Sequence, residues 1–122
     1  TYENITRLGG NWETLLRNLE FINTIPSIFY ISTSFVVQSS NYKEMTTFLN
    51  LMKSIFGKKC RVFFSRINNW GSFTDDEYES VQVWNINHPE YNNFIREYNK
   101  IVLDPQVTTN MHELVEIRKT LY

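Results

Sequence analysis

One hundred and twenty-two residues, 42% hydrophobic and 20% charged, describe one globular domain with a modest core and exclude a disordered chain. A formal net charge of −1 excludes any general electrostatic pull toward nucleic acid or an anionic membrane. The single cysteine, Cys60, excludes an intramolecular disulfide and any zinc or iron–sulfur site built from several cysteines of this chain.

The chain opens at TYENITRLGG without an initiator methionine, as an excised piece would, and no signal peptide is visible. GGNWETLLRNLEFI predicts a helix. Asn11 offers an N-cap, Trp12, Leu15, Leu16, Leu19 and Ile22 recur on one face, and Pro26 stops it. SIFYISTSFVVQ is rich in β-branched and aromatic residues and predicts a strand. Its apolar-leaning run is far too short to span a membrane. The two faces of this strand differ. Phe29, Ile31, Thr33, Phe35 and Val37 make one nearly apolar side, while Ile28, Tyr30, Ser32, Ser34, Val36 and Gln38 grow polar toward the carboxyl end. With helices on the apolar side, the polar side must meet water, another polar layer or a ligand.

NYKEMTTFLNLMKSIFG predicts the next helix. Asn41 and Glu44 are spaced as a capping box, Met45, Phe48, Leu49, Met52 and Phe56 form a core stripe, and Gly57 closes the end. Lys53, Lys58, Lys59 and Arg61 then read as a solvated helix end and loop, where cations are favoured, rather than as a basic groove. CRVFFSRI predicts a second strand in which Cys60 is a small buried residue, not a nucleophile. Strand–helix–strand order implies parallel neighbours joined by a right-handed crossover. The loop RINNWG follows, with Trp70 expected to pack beneath it.

From Thr74 the pattern reads as helical. TDDEYES starts on a capping threonine, and the helix dipole accounts for Asp75, Asp76, Glu77 and Glu79, against a weaker reading of them as hydrolase carboxylates. HPEYNNFIREYNKIV predicts a helix with Pro89 near its first position and Phe94, Ile95, Tyr98 and Ile101 on its apolar face. MHELVEIRKTLY predicts a terminal helix. His88 and His112 sit on separate segments without a neighbouring cysteine, and read as helix-end or surface residues rather than metal ligands. No Walker phosphate loop, GxGxxG, GxSxG or HExxH occurs. Motif logic alone therefore gives an α/β domain without a complete catalytic constellation.

Four stretches in order, ITRLGGNWETLLRNLEF, SFVVQSSNYKEM, VFFSRINNWGSFTDDEY and NINHPEYNNF, resemble consecutive segments of radical S-adenosylmethionine proteins. These are often labelled Fe–S oxidoreductases, and the resemblance is to the group with a SPASM or twitch-like C-terminal extension. It spans roughly residues 1 to 95, and the ordered pair FVVQ..NY.EM and F.RI.NWG.F carries most of it.

The resemblance implies the C-terminal part of a partial (β/α)6 TIM-like barrel: two parallel strands, the fifth and sixth, with their helices. Residues 1–73 would be these βα units and residues 74–122 a helical C-terminal extension. In the family a 4Fe–4S cluster is held through CxxxCxxC in the amino-terminal half, and S-adenosylmethionine is cleaved reductively to a 5′-deoxyadenosyl radical. This chain lacks that motif, so alone it would bind neither cluster nor cofactor and would be inactive. By resemblance, Ser34 and Gln38 face the ribose or methionine end of the cofactor, and Ser65 or Arg66 lines the cavity from the sixth strand. The Ile67–Asn68 backbone approaches the adenine. Strand alternation admits only one of Ser65 and Arg66 to the cavity unless the strand ends or bulges there. The implied partners are the missing barrel half and, for the isolated piece, a second copy. Neither nucleic acid nor membrane is expected, and the oxygen-sensitive chemistry implies the cytoplasm. The rival expectation is a small α/β binding or adaptor protein that presents RINNWG and its exposed aromatics to a partner.

Overall fold

Val37, Phe64 and Met52 are fully sealed from solvent, and they mark where a parallel sheet meets its helices. The structure, a computed structural model, describes residues 10–111. Its order is α1 (Trp12–Asn23), β1 (Ile31–Val37), α2 (Met45–Phe56), β2 (Cys60–Arg66), α3 (Asp75–Val81), α4 (Tyr91–Asn99) and β3 (Val107–Thr109). The chain is α/β. The terminal helix expected over MHELVEIRKTLY, His112 included, lies outside the described residues.

The sheet has three strands in the order β1-β2-β3, all parallel. Ile31 is level with Cys60 and Val37 with Arg66, so the seven rungs of β1 and β2 run without a bulge. The expected two strands are thus corrected to three. β3 comes from the segment read as helical and pairs with Val62, Phe63 and Phe64 of β2 through Val62↔Val107, Phe63↔Thr108 and Phe64↔Thr109. Its local signal is weak because three residues are too few to show alternation. What holds it is tertiary. Gln106 accepts from the Val62 N–H at 2.8 Å, and its side-chain amide donates to the Gly57 and Cys60 carbonyls at 3.0 and 2.8 Å.

Helix α1 begins as expected, with the Asn11 side chain accepting from the Thr14 N–H at 2.9 Å. The capping box expected at Asn41 does not form. A single 3₁₀ turn over Tyr42–Glu44 precedes α2, and the Asn41 side chain makes no cap bond to the helix. Instead it is buried against β1, accepting from the Gln38 N–H at 2.9 Å and donating to the Val36 carbonyl at 2.8 Å. Gly57 does close α2. Its φ of 63° lies in the left-handed region where a side chain is strained, and its N–H reaches the Lys53 carbonyl.

Met45, Leu49, Met52 and Phe56 of α2 bury against Cys60, Val62 and Phe64 of β2, and Phe35 stacks on both Phe48 and Phe64. Phe94 and Tyr98 of α4 join the same core, as do Val83, Trp84, Ile101 and Met111. One core therefore draws on both spans of the chain. Tyr42 ties its halves together, packing edge-on to Phe94 and donating its hydroxyl proton to Glu90 at 2.9 Å. Lys53 on α2 makes an ion pair with Asp104 ahead of β3. Burial works to raise the Asp104 carboxyl, but the Lys53 bond, the Gln106 N–H and the lysine charge outweigh it and hold the group below its ordinary value.

Candidate functional site

All the core packing falls on one face of the sheet. The other face carries Ser32, Ser34 and Val36 from β1, Arg61, Phe63 and Ser65 from β2, and Thr108 from β3. Ser32, Ser34, Val36 and Arg61 are exposed there, and Phe63, Ser65 and Thr108 are half-buried. The alternation expected for β1 is the alternation observed.

Among the expected site residues, Ser34 and Ser65 share this open face, Ser34 level with Phe63 and Ser65 level with Val36. Gln38 and Asn68 sit just beyond the carboxyl ends of β1 and β2, the end at which open parallel sheets receive ligands. Arg66 goes elsewhere. With no bulge to turn it, it lies on the helical side, where its guanidinium rests 6.0 Å from the Trp84 ring. Its side chain donates to the Asn110 carbonyl at 3.3 Å, and its backbone N–H donates to Asn110 Oδ1 at 3.1 Å. Arg66 thus clamps the end of β2 to the chain leaving β3. Asn110 carried no local signal in the sequence, since its role depends on a residue 44 positions away.

The RINNWG loop is built around Asn69. Its Oδ1 accepts from the Gly71 and Phe73 N–H groups at 3.0 and 3.3 Å, and its amide donates to the Phe73 carbonyl at 3.2 Å. Gly71 takes φ 96°, a conformation only glycine adopts without strain. Tyr78 anchors the loop from α3 by donating to the Ile67 carbonyl at 2.9 Å. Trp70 does not pack beneath this loop. It is 87% exposed, because the Asn69 turn is satisfied internally and leaves the indole pointing away.

The acidic run after the loop begins a helix. Thr74 and Glu77 form a reciprocal capping box, and the backbone and side-chain bonds from Thr74 lower the Glu77 carboxyl. Cys60 is buried, which pushes its thiol up, away from nucleophile behaviour. His88 is half-buried and works as a backbone connector. Its Nδ1 accepts from the Glu90 N–H at 3.0 Å, so Nε2 carries the proton and donates to the Ser80 carbonyl at 2.8 Å. Among the described residues no three His, Cys, Asp or Glu side chains gather to hold a metal. No described helix is long and apolar enough to cross a membrane.

At the mouth of β1 the Ser40 hydroxyl is buried without a hydrogen-bond partner among the described residues. Gln38 and Asn68 follow the ends of β1 and β2, and the open face carries Ser34 and Ser65 together with the exposed Arg61, so the arrangement offers hydroxyl, amide and guanidinium groups. Such groups can hydrogen-bond a polar molecule. Comparison with family models, with curated proteins and with solved structures finds no match.

Proposed function

We propose that this chain is the carboxyl-terminal part of a radical S-adenosylmethionine barrel and contributes wall, not catalytic centre, to an Fe–S oxidoreductase. The observation that carries this is the one-sided sheet: parallel strands, helices on one face, and an opposite face lined by Ser32, Ser34 and Ser65. A wedge cut from a barrel has this form, since its helices lie outside and the opposite strand faces look inward. In this reading β1 and β2 are the fifth and sixth strands and β3 extends the sheet past the sixth.

The iron–sulfur cluster does not fit the residues of this chain. Cys60 is the only cysteine, it is buried, and it belongs to no ligand cluster among the described residues. No step is derived through the cluster. S-adenosylmethionine fits better: Ser34, Ser65, Gln38 and Asn68 would hydrogen-bond its ribose and amino-acid groups, whereas Arg66 is engaged by Asn110 and Trp84. Without the missing half, the open face is expected to be covered by a second copy, which light scattering on the isolated chain would register as a dimer. The deciding experiment is anaerobic reconstitution of the longer gene product with iron and sulfide. Formation of 5′-deoxyadenosine from S-adenosylmethionine supports the proposal, and a longer product that forms neither cluster nor 5′-deoxyadenosine ends it.

A second reading, a binding or adaptor protein, is favoured by Trp70 alone. An exposed tryptophan on a preorganised turn is the kind of anchor that interfaces use. A start codon directly before Thr1 in the coding sequence would support it over the barrel.

A further inference from the structure

The outer edge of β1 has unpaired backbone groups, and Asn41 shows which way their partner runs. The Val37 carbonyl accepts from the Ile67 N–H, so the odd residues of β1 turn their backbone groups toward β2. Ser32, Ser34 and Val36 therefore turn theirs outward, because both groups of one residue point to the same side of a strand and successive residues alternate. Among the described residues nothing pairs with the N–H or carbonyl of Ser32 or Ser34, or with the Val36 N–H.

The last outward groups are taken. The Asn41 side chain donates to the Val36 carbonyl at 2.8 Å and accepts from the Gln38 N–H at 2.9 Å. One amide bridging the carbonyl of one residue and the N–H two residues later is the bonding of a parallel neighbour. An antiparallel neighbour would exchange both bonds with a single residue. Asn41 thus stands as the final rung of a parallel strand whose earlier rungs are missing. Residues 28–38 carry no charge and no proline, the usual devices that protect a strand edge.

We infer that the outer edge of β1 is a docking edge for one short extended polypeptide running parallel to it, two rungs long and stopped by Asn41. One partner residue lies level with Thr33 and bonds the Ser32 carbonyl and Ser34 N–H. The residue two further on lies level with Phe35 and bonds the Ser34 carbonyl and Val36 N–H. Both turn their side chains to the helical face beside Thr33 and Phe35 and so are apolar. The residue between them, level with Ser34, faces the open side and is small and polar. This does not rest on the barrel reading, in which the same edge would instead receive the fourth strand of the missing half.

The test is a nitrogen-15 NMR titration of the 122-residue chain with the blocked peptide acetyl-Thr-Val-Ser-Val-Thr-amide. The Ser34 and Val36 amides are expected to move downfield and their exchange to slow by about tenfold, while Gln38, held by Asn41, does not move. A spin label on the peptide's amino end should broaden Ser32 more than Val36, and a label on its carboxyl end should do the reverse. Ser34→Pro removes an outward N–H without touching the β1–β2 ladder, so it should keep the circular dichroism and lose the response. Should that variant not fold, N-methylation of both valines in the peptide makes the same deletion from the other side. An unresponsive edge, a reversed broadening pattern or binding that survives N-methylation would each overturn the inference. So would a downfield shift with slowed exchange of the Ser34 and Val36 amides on concentrating the chain alone, the mark of a strand on the edge rather than a copy on the open face, which would make a second copy the occupant.

Discussion

Tyr42 and Glu90, 48 positions apart, meet through a 2.9 Å hydrogen bond that joins the start of α2 to the start of α4. Burial, then the bond to Glu90 and its negative charge, push the Tyr42 hydroxyl up to about 12 from 10.0. The raised value means that the folded chain keeps a proton which the unfolded chain releases. This contribution is intact below pH 10, declines as pH rises above the unfolded value, and is lost through the folded one. Denaturant melts at pH 9 to 12 should show wild type losing roughly 2–3 kcal/mol more than Tyr42→Phe. At neutral pH the variant should be about 1 kcal/mol less stable, and parallel pH curves for the two proteins would contradict the assignment.

Asn41 offers a clean choice between two roles. As a helix N-cap it would tolerate Asp or Ser, which cap about as well. As the stop on the β1 edge it needs both a donor for Val36 and an acceptor for Gln38. Asn41→Asp keeps the acceptor but sets an oxygen against the Val36 carbonyl, so it should cost about 1–3 kcal/mol, as Asn41→Ala should. Near-wild-type stability of the Asp variant in chemical denaturation would restore the capping role.

Trp70 sits in the open, so the loop should not depend on it. Trp70→Ala is expected to change stability by less than about 0.5 kcal/mol. It should also remove most of the fluorescence that acrylamide quenches readily, since Trp84 is buried and Trp12 half-buried. A large loss of stability would put the indole back under the loop.

Much of this architecture was legible because it is written in local chemistry. The stripe from Met45 to Phe56 closed by Gly57, the alternation of Ile31–Val37, and Thr74 with Glu77 each state their structure within a dozen residues. The misreadings of Arg66 and β3 share one cause, which is that distant partners decided the outcome, whereas Asn41 was claimed by backbone groups only three and five residues back. Asn41 and Glu44 have the spacing of a capping box, yet the edge of β1 offers the Asn41 amide two buried backbone groups and takes it away from the helix. Of the candidate site, Ser34 could be placed by alternation alone, whereas alternation left open which of Ser65 and Arg66 takes the open face. That choice falls to distant partners, because Trp84 reaches Arg66 only after the chain has passed through α3, and Asn110 only after α3 and α4.

β3 is the element that local pattern missed, and Gln106 explains why it exists. Its side-chain amide spends both donors on the Gly57 and Cys60 carbonyls, and its own carbonyl receives the Val62 N–H. Gln106→Ala should cost about 1–2 kcal/mol by leaving those carbonyls without their donor. Gln106→Glu should cost more, since a carboxylate would face two carbonyl oxygens and be repelled by both. Hydrogen exchange at the Val62 amide reads the same interaction directly. It should quicken in the order wild type, Ala, Glu, because a β3 that lifts from β2 releases that N–H. Equal exchange in all three proteins would mean that Val107–Thr109 holds its place without Gln106.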